Sequence, residues 1–169
     1  TLAESALSGS ETPREILQGV QWADWSPDGK SLAVVRDVGG RNRLEFPVGK
    51  VLYETSGWIA DPRFSPDGQA LAFDSHWSRS GDMGSVMIVD RDGKSKTLSD
   101  GWSSLQGLAW RPDGGEIWFT ATKEGGNRAV YAVDLAAKLR LAYRQGGSLT
   151  VLDISRQGDV LLATDDLRV

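Results

Sequence analysis

One stretch recurs four times along the 169-residue chain and limits what the chain can fold into. Three copies carry a Pro-Asp-Gly turn, and a large apolar residue stands two positions before each proline: Trp25, Phe64 and Trp110. Ile154 takes this place in a fourth copy, and successive copies lie 39, 46 and 44 residues apart. Repeats of this length are typical of propellers with one four-stranded blade per repeat. The sequence therefore predicts an all-β protein, a β-propeller of four-stranded antiparallel blades.

Each Pro-Asp-Gly turn is predicted to join the first two strands of a blade. Proline presets φ for a tight turn, aspartate favours the turn, and glycine accepts the positive φ that follows. The turns are flanked by β-rich runs such as residues 32–35 and 71–73, and a second hairpin follows in each unit, most clearly at 86–98. We expect four strands per blade, and we expect the large residue before each turn to pack between neighbouring blades.

The repeat divides the chain into about four blades within a single domain. We predict half a blade at residues 1–18, blades at about 20–54, 58–99 and 103–144, and half a blade at 147–169. The two half blades could pair and close a four-bladed ring, or the chain could be an arc of a larger propeller. An open arc would have free sheet edges, and in that case we expect a homo-oligomer.

Composition excludes several classes of function. The chain has no cysteine and one histidine, so thiolate and multi-histidine metal sites are excluded, and we expect no metal and no cofactor. A formal charge of −4 argues against nucleic acid as a partner. No apolar run approaches the roughly 18 residues of a membrane span, so we expect no direct membrane insertion by this chain.

The repeat resembles the Pro-Asp-Gly β-propeller repeat of the TolB-like group, which is related to WD-repeat propellers. Longer strings resemble the propeller that follows the kinase domain in bacterial receptor-type serine/threonine protein kinases. These strings are residues 20–29, 36–46, 49–54, 107–110, 116–122 and 153–155. The resemblance covers nearly the whole chain.

The resemblance implies a binding domain, the sensor or protein-interaction region of such a kinase, on the extracytoplasmic or periplasmic side of a bacterial membrane; a cytoplasmic location stays open. The chain lacks a glycine-rich nucleotide loop, a His-Arg-Asp loop and an Asp-Phe-Gly motif, so we expect no enzyme activity. Three alternatives stay open: a Tol-type periplasmic interaction module, the substrate-filtering propeller of a prolyl-oligopeptidase-like hydrolase, and a structural repeat that mediates oligomers.

Propeller geometry predicts one face where binding residues gather. The connections between the second and third strands of each blade meet there, at residues 37–42, 76–85 and 123–128, together with the connections between blades. Binding residues concentrate in loops on a rigid scaffold, and tryptophan and arginine are favoured anchors. We therefore expect this face to bind a protein or peptide through Arg41, Trp58, His76, Trp77, Arg79, Asp82, Trp102 and Arg128.

The single histidine, His76, would have to serve any Ser-His-Asp triad, with Ser75, Ser78 or Ser80 near it. These serines lie in one segment, and the chain has no Gly-x-Ser-x-Gly elbow. We therefore expect no catalytic residue, and we expect His76 to be a surface histidine at the edge of its strand.

Overall fold

The computed structural model describes residues 1–5 and 12–165, which contain strands and turns and no helix. Three four-stranded antiparallel sheets follow one another, each with its strands side by side in chain order. Blade 1 consists of β3 (Val20–Trp25), β4 (Leu32–Val38), β5 (Arg41–Glu45) and β6 (Val51–Thr55). Blade 2 consists of β7 (Trp58–Phe64), β8 (Ala70–His76), β9 (Gly84–Asp90) and β10 (Ser95–Trp102). Blade 3 consists of β11 (Ser104–Trp110), β12 (Glu116–Thr122), β13 (Ala129–Asp134) and β14 (Leu139–Tyr143). The prediction of an all-β propeller is confirmed.

Two hairpins flank the three blades. The N-terminal hairpin pairs β1 (Leu2–Glu4) with β2 (Arg14–Leu17), and the turn between them lies outside the described residues. The C-terminal hairpin pairs β15 (Ser148–Ile154) with β16 (Val160–Asp165). Within the described residues the two hairpins are separate two-stranded sheets, so they do not close a ring by pairing with each other. Self-association of such an open arc stays a prediction.

The Pro-Asp-Gly turns form as their residues predict. In the first turn Gly29 adopts φ 68° and its N–H donates to the Ser26 carbonyl at 2.7 Å. The Asp28 carboxylate accepts bonds from the Ser26 hydroxyl at 2.6 Å and from the Lys30 N–H at 3.2 Å. Because the aspartate binds both sides of the turn, it fixes the register of the two strands that the turn joins.

The first strands of successive blades are joined by side chains rather than by a strand ladder. The Asp24 carboxylate of β3 accepts the Phe64 N–H of β7 at 2.9 Å. The Asp61 carboxylate of β7 accepts the Gly107 N–H of β11 at 2.9 Å, and the Thr120 hydroxyl accepts the Val151 N–H at 3.4 Å. A bulge interrupts the pairing of each of these four first strands with its neighbour. Gly107 lies in the bulge of β11, and Phe64 and Val151 lie in edge strands, so amides on the open side of each first strand find partners on the preceding blade.

Two of the large residues before the turns pack between blades, as predicted. Phe64 is buried and meets Phe46 of blade 1 edge to face, with ring centroids 4.8 Å apart. Trp110 is also buried, and its indole N–H donates to the Arg63 carbonyl of blade 2 at 3.0 Å. The prediction is wrong for Trp25, whose side chain is 59% exposed. The reason is that only a two-stranded hairpin precedes blade 1, which leaves an open cavity of about 520 Å³ beside Trp25.

We predict that Trp110→Ala lowers the free energy of unfolding by about 3–5 kcal/mol, since it removes a buried indole and its hydrogen bond. Trp25→Ala, at the equivalent position of the repeat, should cost less than about 1 kcal/mol because that side chain is exposed. Urea unfolding followed by circular dichroism measures both values. Equal losses in the two variants would contradict the packing described here.

Candidate functional site

The connections between blades and those between the second and third strands lie at one face of the arc, which we call the loop face. In blade 1 the second connection is shorter than the sequence predicted. Asp37 pairs with Asn42 and Val38 pairs with Arg41, so most of this segment belongs to the two strands. The connection itself is a two-residue turn of Gly39 and Gly40, which have φ of 59° and 77°. In blade 2 the corresponding loop runs from residue 77 to 83. The loop face is therefore low over blade 1 and high over blade 2.

Between these two blades the loop face contains an open recess of about 310 Å³, which we call the indole recess. Blade 1 contributes residues from the start of its first and third strands, and blade 2 contributes residues from the start of its first strand and from its long loop. The lining residues are Gln21, Trp22, Asn42, Trp58 and Arg79. Two of them, Trp58 and Arg79, belong to the predicted binding face.

His76 supports one wall of the recess from below. Its ring stacks on the Trp58 indole with centroids 3.7 Å apart and an angle of 6° between the planes. The Trp58 N–H donates to the Gly81 carbonyl at 3.1 Å, so the indole is held on its face and at its edge. The prediction of a surface histidine is wrong, because His76 is 1% exposed.

Two glycines allow His76 to be enclosed in this way. A Cβ at Gly57 would collide with the His76 carbonyl, and a Cβ at Gly84 would lie 3.2 Å from His76 Nδ1. Neither ring nitrogen has a hydrogen-bond partner among the described residues. Burial lowers the pKa of His76, and the backbone and carboxylate of Asp82 and the backbone of Met83 offset only part of that effect. The ring is therefore a neutral stacking surface at physiological pH.

Arg79 lies at the lip of the recess. Its guanidinium pairs with the Asp37 carboxylate of blade 1 at 2.6 Å, and its Nε donates to the Ser56 carbonyl at 3.4 Å. The pair joins the long loop of blade 2 to blade 1. The Asp37 carboxylate also compensates the positive charge of Arg79. The lip therefore offers hydrogen-bond donors without a net positive charge.

Three other predicted residues lie at the loop face outside the lining of the recess. Trp77 is 54% exposed, and its indole N–H donates to the Ser85 hydroxyl at 3.3 Å. Arg41 is exposed at the start of β5 and pairs with Glu54 at 2.9 Å. Asp82 is exposed, and its carbonyl accepts the Leu105 N–H at 3.2 Å.

The remaining two predicted residues are structural. Trp102 is 1% exposed and packs in the core between blades 2 and 3, where its N–H donates to the Ser99 hydroxyl at 3.0 Å. Arg128 reaches from blade 3 to the C-terminal hairpin, and its Nε donates to the Leu149 carbonyl at 3.2 Å. The Trp102 side chain is therefore not accessible to a ligand, whereas Arg128 is partly exposed and its role in binding stays a prediction.

The sequence reasoning missed three lining residues: Gln21, Trp22 and Asn42. Trp22 lies within the repeat, but it is not one of the residues that recur in every copy. Counted back three residues from the large residue before each turn, Trp22 is replaced by Asp61, Gly107 and Val151 in the other copies. A tryptophan that breaks the pattern was the signal that could have been used.

A buried acidic pair lies behind the recess, in blade 2. Asp74 is 0% exposed, and neither carboxylate oxygen has a hydrogen-bond partner among the described residues. Burial, and then the charge of Asp61, raise the pKa of Asp74 well above its usual range. Burial also raises the pKa of Asp61, which the Gly107 N–H and the charge of Arg63 partly oppose. Asp61 adopts φ 47°, an uncommon conformation for a residue with a Cβ, within the bulge of β7.

The described residues contain no group of three or more His, Cys, Asp or Glu side chains arranged to hold a metal ion. The same part of the chain has no helix that is long and apolar enough to cross a membrane. What the indole recess offers chemically is two aromatic faces, amide groups and a tethered guanidinium. These are groups for binding a ligand by stacking and hydrogen bonding.

The strands and their order define a β-propeller, and comparison with solved structures supports this fold. A TolB-assigned protein of Agrobacterium tumefaciens matches with a TM-score of 0.75 and 19% identity, over 99% of this chain and 64% of that chain. TolB of Acinetobacter baumannii matches with a TM-score of 0.58 and 15% identity, over 86% of this chain and 36% of that chain. The chain therefore shares the fold of TolB-like propellers.

The chain is also similar to two curated proteins. It is 30% identical to the "Uncharacterized peptidase YuxL" of Bacillus subtilis (strain 168) over 58% of this chain and 16% of that protein. It is 26% identical to "Dipeptidyl-peptidase 5" of Porphyromonas gingivalis over 90% of this chain and 25% of that protein. The chain thus spans a quarter or less of these relatives. No family model matches it.

We predict that Asp74→Asn stabilises the protein increasingly as the pH rises. The raised pKa of Asp74 means that the folded form keeps a proton which the unfolded chain loses near pH 4. The contribution of Asp74 to the free energy of unfolding therefore falls by about 1.4 kcal/mol per pH unit as the pH rises from about 4 towards the raised pKa. Asparagine carries no such proton, so the difference between the two proteins should grow from pH 3.5 upwards.

Urea unfolding of both proteins at a series of pH values measures this difference, and titrations common to both, including that of His76, cancel. Asp92→Asn, at an exposed turn position, is the matched control. A difference that does not change with pH would show that Asp74 ionises in the folded protein as it does in the unfolded chain.

Proposed function

We propose that this chain is a non-catalytic propeller that binds a protein or peptide at its loop face. The indole recess is the observation that carries the proposal. Its Trp58 indole is held by stacking and by a backbone carbonyl, its Arg79 is held by an ion pair, and Trp22 adds an exposed second indole. Tryptophan and arginine are enriched among the residues that dominate binding energy, and side chains fixed before binding lose little conformational entropy.

The environment of His76 supports a binding role rather than catalysis. A general base must reach the proton that it abstracts, and it needs a pKa near the working pH. The His76 ring is buried beneath Trp58, neither nitrogen bonds a serine, and burial lowers its pKa. It is the only histidine of the chain. These facts favour recognition without turnover.

One context for this binding role is the sensor region of a bacterial receptor-type serine/threonine kinase. The strings at residues 20–29 and 36–46, which resemble the propeller of such kinases, support it. They include the lining residues that blade 1 contributes, Gln21, Trp22 and Asn42, and Asp37, the ion-pair partner of Arg79. In this context the loop face works on the outer side of the bacterial membrane.

A second context is favoured by the curated relatives. Two proteins whose names describe peptidases match this chain over a quarter or less of their own lengths. A propeller of this kind attached to a hydrolase would bind or filter peptide substrates, and the indole recess would serve that role too. The full coding sequence separates the contexts: kinase motifs and a membrane span indicate the first, and an α/β-hydrolase domain indicates the second.

A displayed library of random 12-residue peptides tests the proposed function directly. We predict that selected peptides bind the wild-type chain and that Arg79→Ala weakens their binding by about tenfold or more. Arg111→Ala is the matched control, because this arginine is also about half exposed and ion-paired but lies at a Pro-Asp-Gly turn on the opposite face. Each bound peptide should be recovered intact by mass spectrometry.

Two outcomes would contradict the proposal. Equal weakening by Arg79→Ala and Arg111→Ala would show that binding does not occur at the loop face. Cleavage of bound peptides by the purified chain would show that the propeller itself is an enzyme.

A further inference from the structure

We propose that the indole recess is a subsite for a proline residue of an extended peptide. The inference rests on the proposed function, since it specifies what the loop face recognises. It is carried by the pattern of hydrogen-bond donors and acceptors in the recess, together with its aromatic walls.

The orientation of the two amides in the recess is fixed by the backbone. The Ile59 N–H can only donate, and it donates to Asn42 Oδ1 at 2.9 Å. Asn42 therefore presents its Nδ2 to Gln21, which accepts through Oε1 at 2.6 Å. The Nε2 group of Gln21 is therefore left as a donor, and it has no hydrogen-bond partner among the described residues.

The other polar groups of the recess also include donors without a partner. The Trp22 indole N–H has no partner in the described part of the chain, and the side chain is 38% exposed. Arg79 uses Nη1 for Asp37 and Nε for the Ser56 carbonyl, which leaves Nη2. The side-chain oxygens of Gln21 and Asn42 each accept a bond already. The recess thus offers three donors without a partner, whereas each of its two amide oxygens already accepts one bond.

A ligand that suits this recess presents acceptors to its free donors and brings few donors of its own. Within a peptide, every residue except proline carries a backbone N–H that would need an acceptor. Proline supplies a carbonyl, an apolar ring that packs against indole faces, and a backbone that is extended before it binds. Aromatic grooves that recognise proline-rich segments use the same physical features.

Charge favours a neutral proline segment over a peptide carboxylate. The Arg79 guanidinium is already paired with Asp37 at 2.6 Å, so a second carboxylate would have to compete for it. A carbonyl oxygen needs only a hydrogen-bond donor and no opposite charge. Gln21 Nε2 and Arg79 Nη2 can supply that donor.

The repeat does not require the aromatic wall on the blade 1 side. In strand register, Trp22 corresponds to Ala60, Gln106 and Thr150 of the other copies, which still form first strands of the same kind. An exposed indole at this position is therefore not explained by packing of the fold. The opposite wall, Trp58, is fixed by its stack on His76 and is ready to receive a ring without rearrangement.

The test uses two peptides blocked at both ends, one with a core of four prolines and one with a core of four alanines. Isothermal titration up to about 2 mM peptide covers weak affinities. The proline peptide should bind the chain at least about tenfold more tightly than the alanine peptide. Gln21→Glu, which keeps the size and exchanges the donor for an acceptor, and Trp22→Ala should each weaken its binding about tenfold. Trp25→Ala, an exposed tryptophan outside the recess, should leave binding unchanged.

Two results would overturn the proline subsite: equal binding of both peptides, or binding insensitive to both Gln21→Glu and Trp22→Ala. Gln21 is exposed, so its variant keeps the test valid if Trp22→Ala fails to fold. Failure of the proline peptide while library peptides still depend on Arg79 would reject this inference and keep the proposed function. Loss of both would reject both.

Discussion

The structure depends on one constraint, which is that blades meet face to face while their first strands still contain unpaired backbone amides. Each first strand is an edge strand of its sheet, so amides on its open side have no ladder partner, and the bulge of β11 adds the amide of Gly107. Side chains of the preceding blade accept these amides: Asp24 for Phe64, Asn42 for Ile59, and Asp61 for Gly107. Since an unpaired buried amide is costly, these contacts fix the angle and register between blades. The apolar packing of Phe64 and Trp110 then fills the space that they define.

One of these contacts also builds the candidate site. Asn42 joins blade 1 to blade 2 through the Ile59 N–H and, with its other amide atom, orients Gln21. The binding chemistry of the recess is therefore a product of the junction between blades. The same is true of Arg79, whose ion pair with Asp37 spans the junction. A change that alters the angle between these blades would alter the recess even if it touched none of the lining residues.

The sequence was sufficient for the architecture because the turn chemistry is local. Proline, aspartate and glycine at fixed spacing set the first hairpin of each blade whatever lies around it. Burial of single side chains was harder to predict, because it depends on which blade lies opposite. Trp25 and Trp110 share a position in the repeat, and one is 59% exposed while the other is 7% exposed. The sequence predicts a surface position for His76 because its strand ends there. In the structure, the glycines at 57 and 84 let the backbone close around its ring.

The two-residue turn at Gly39 and Gly40 has a consequence for access to the recess. It keeps the rim over blade 1 at the height of the sheet, while the seven residues of the blade 2 loop rise on the other side. In the proposed function, a peptide would therefore approach the recess across blade 1, beside the taller loop of blade 2. Inserting a few residues at this turn would lengthen the connection above the recess without disturbing any strand. The recess could thus change from open to enclosed through a change in one short hairpin.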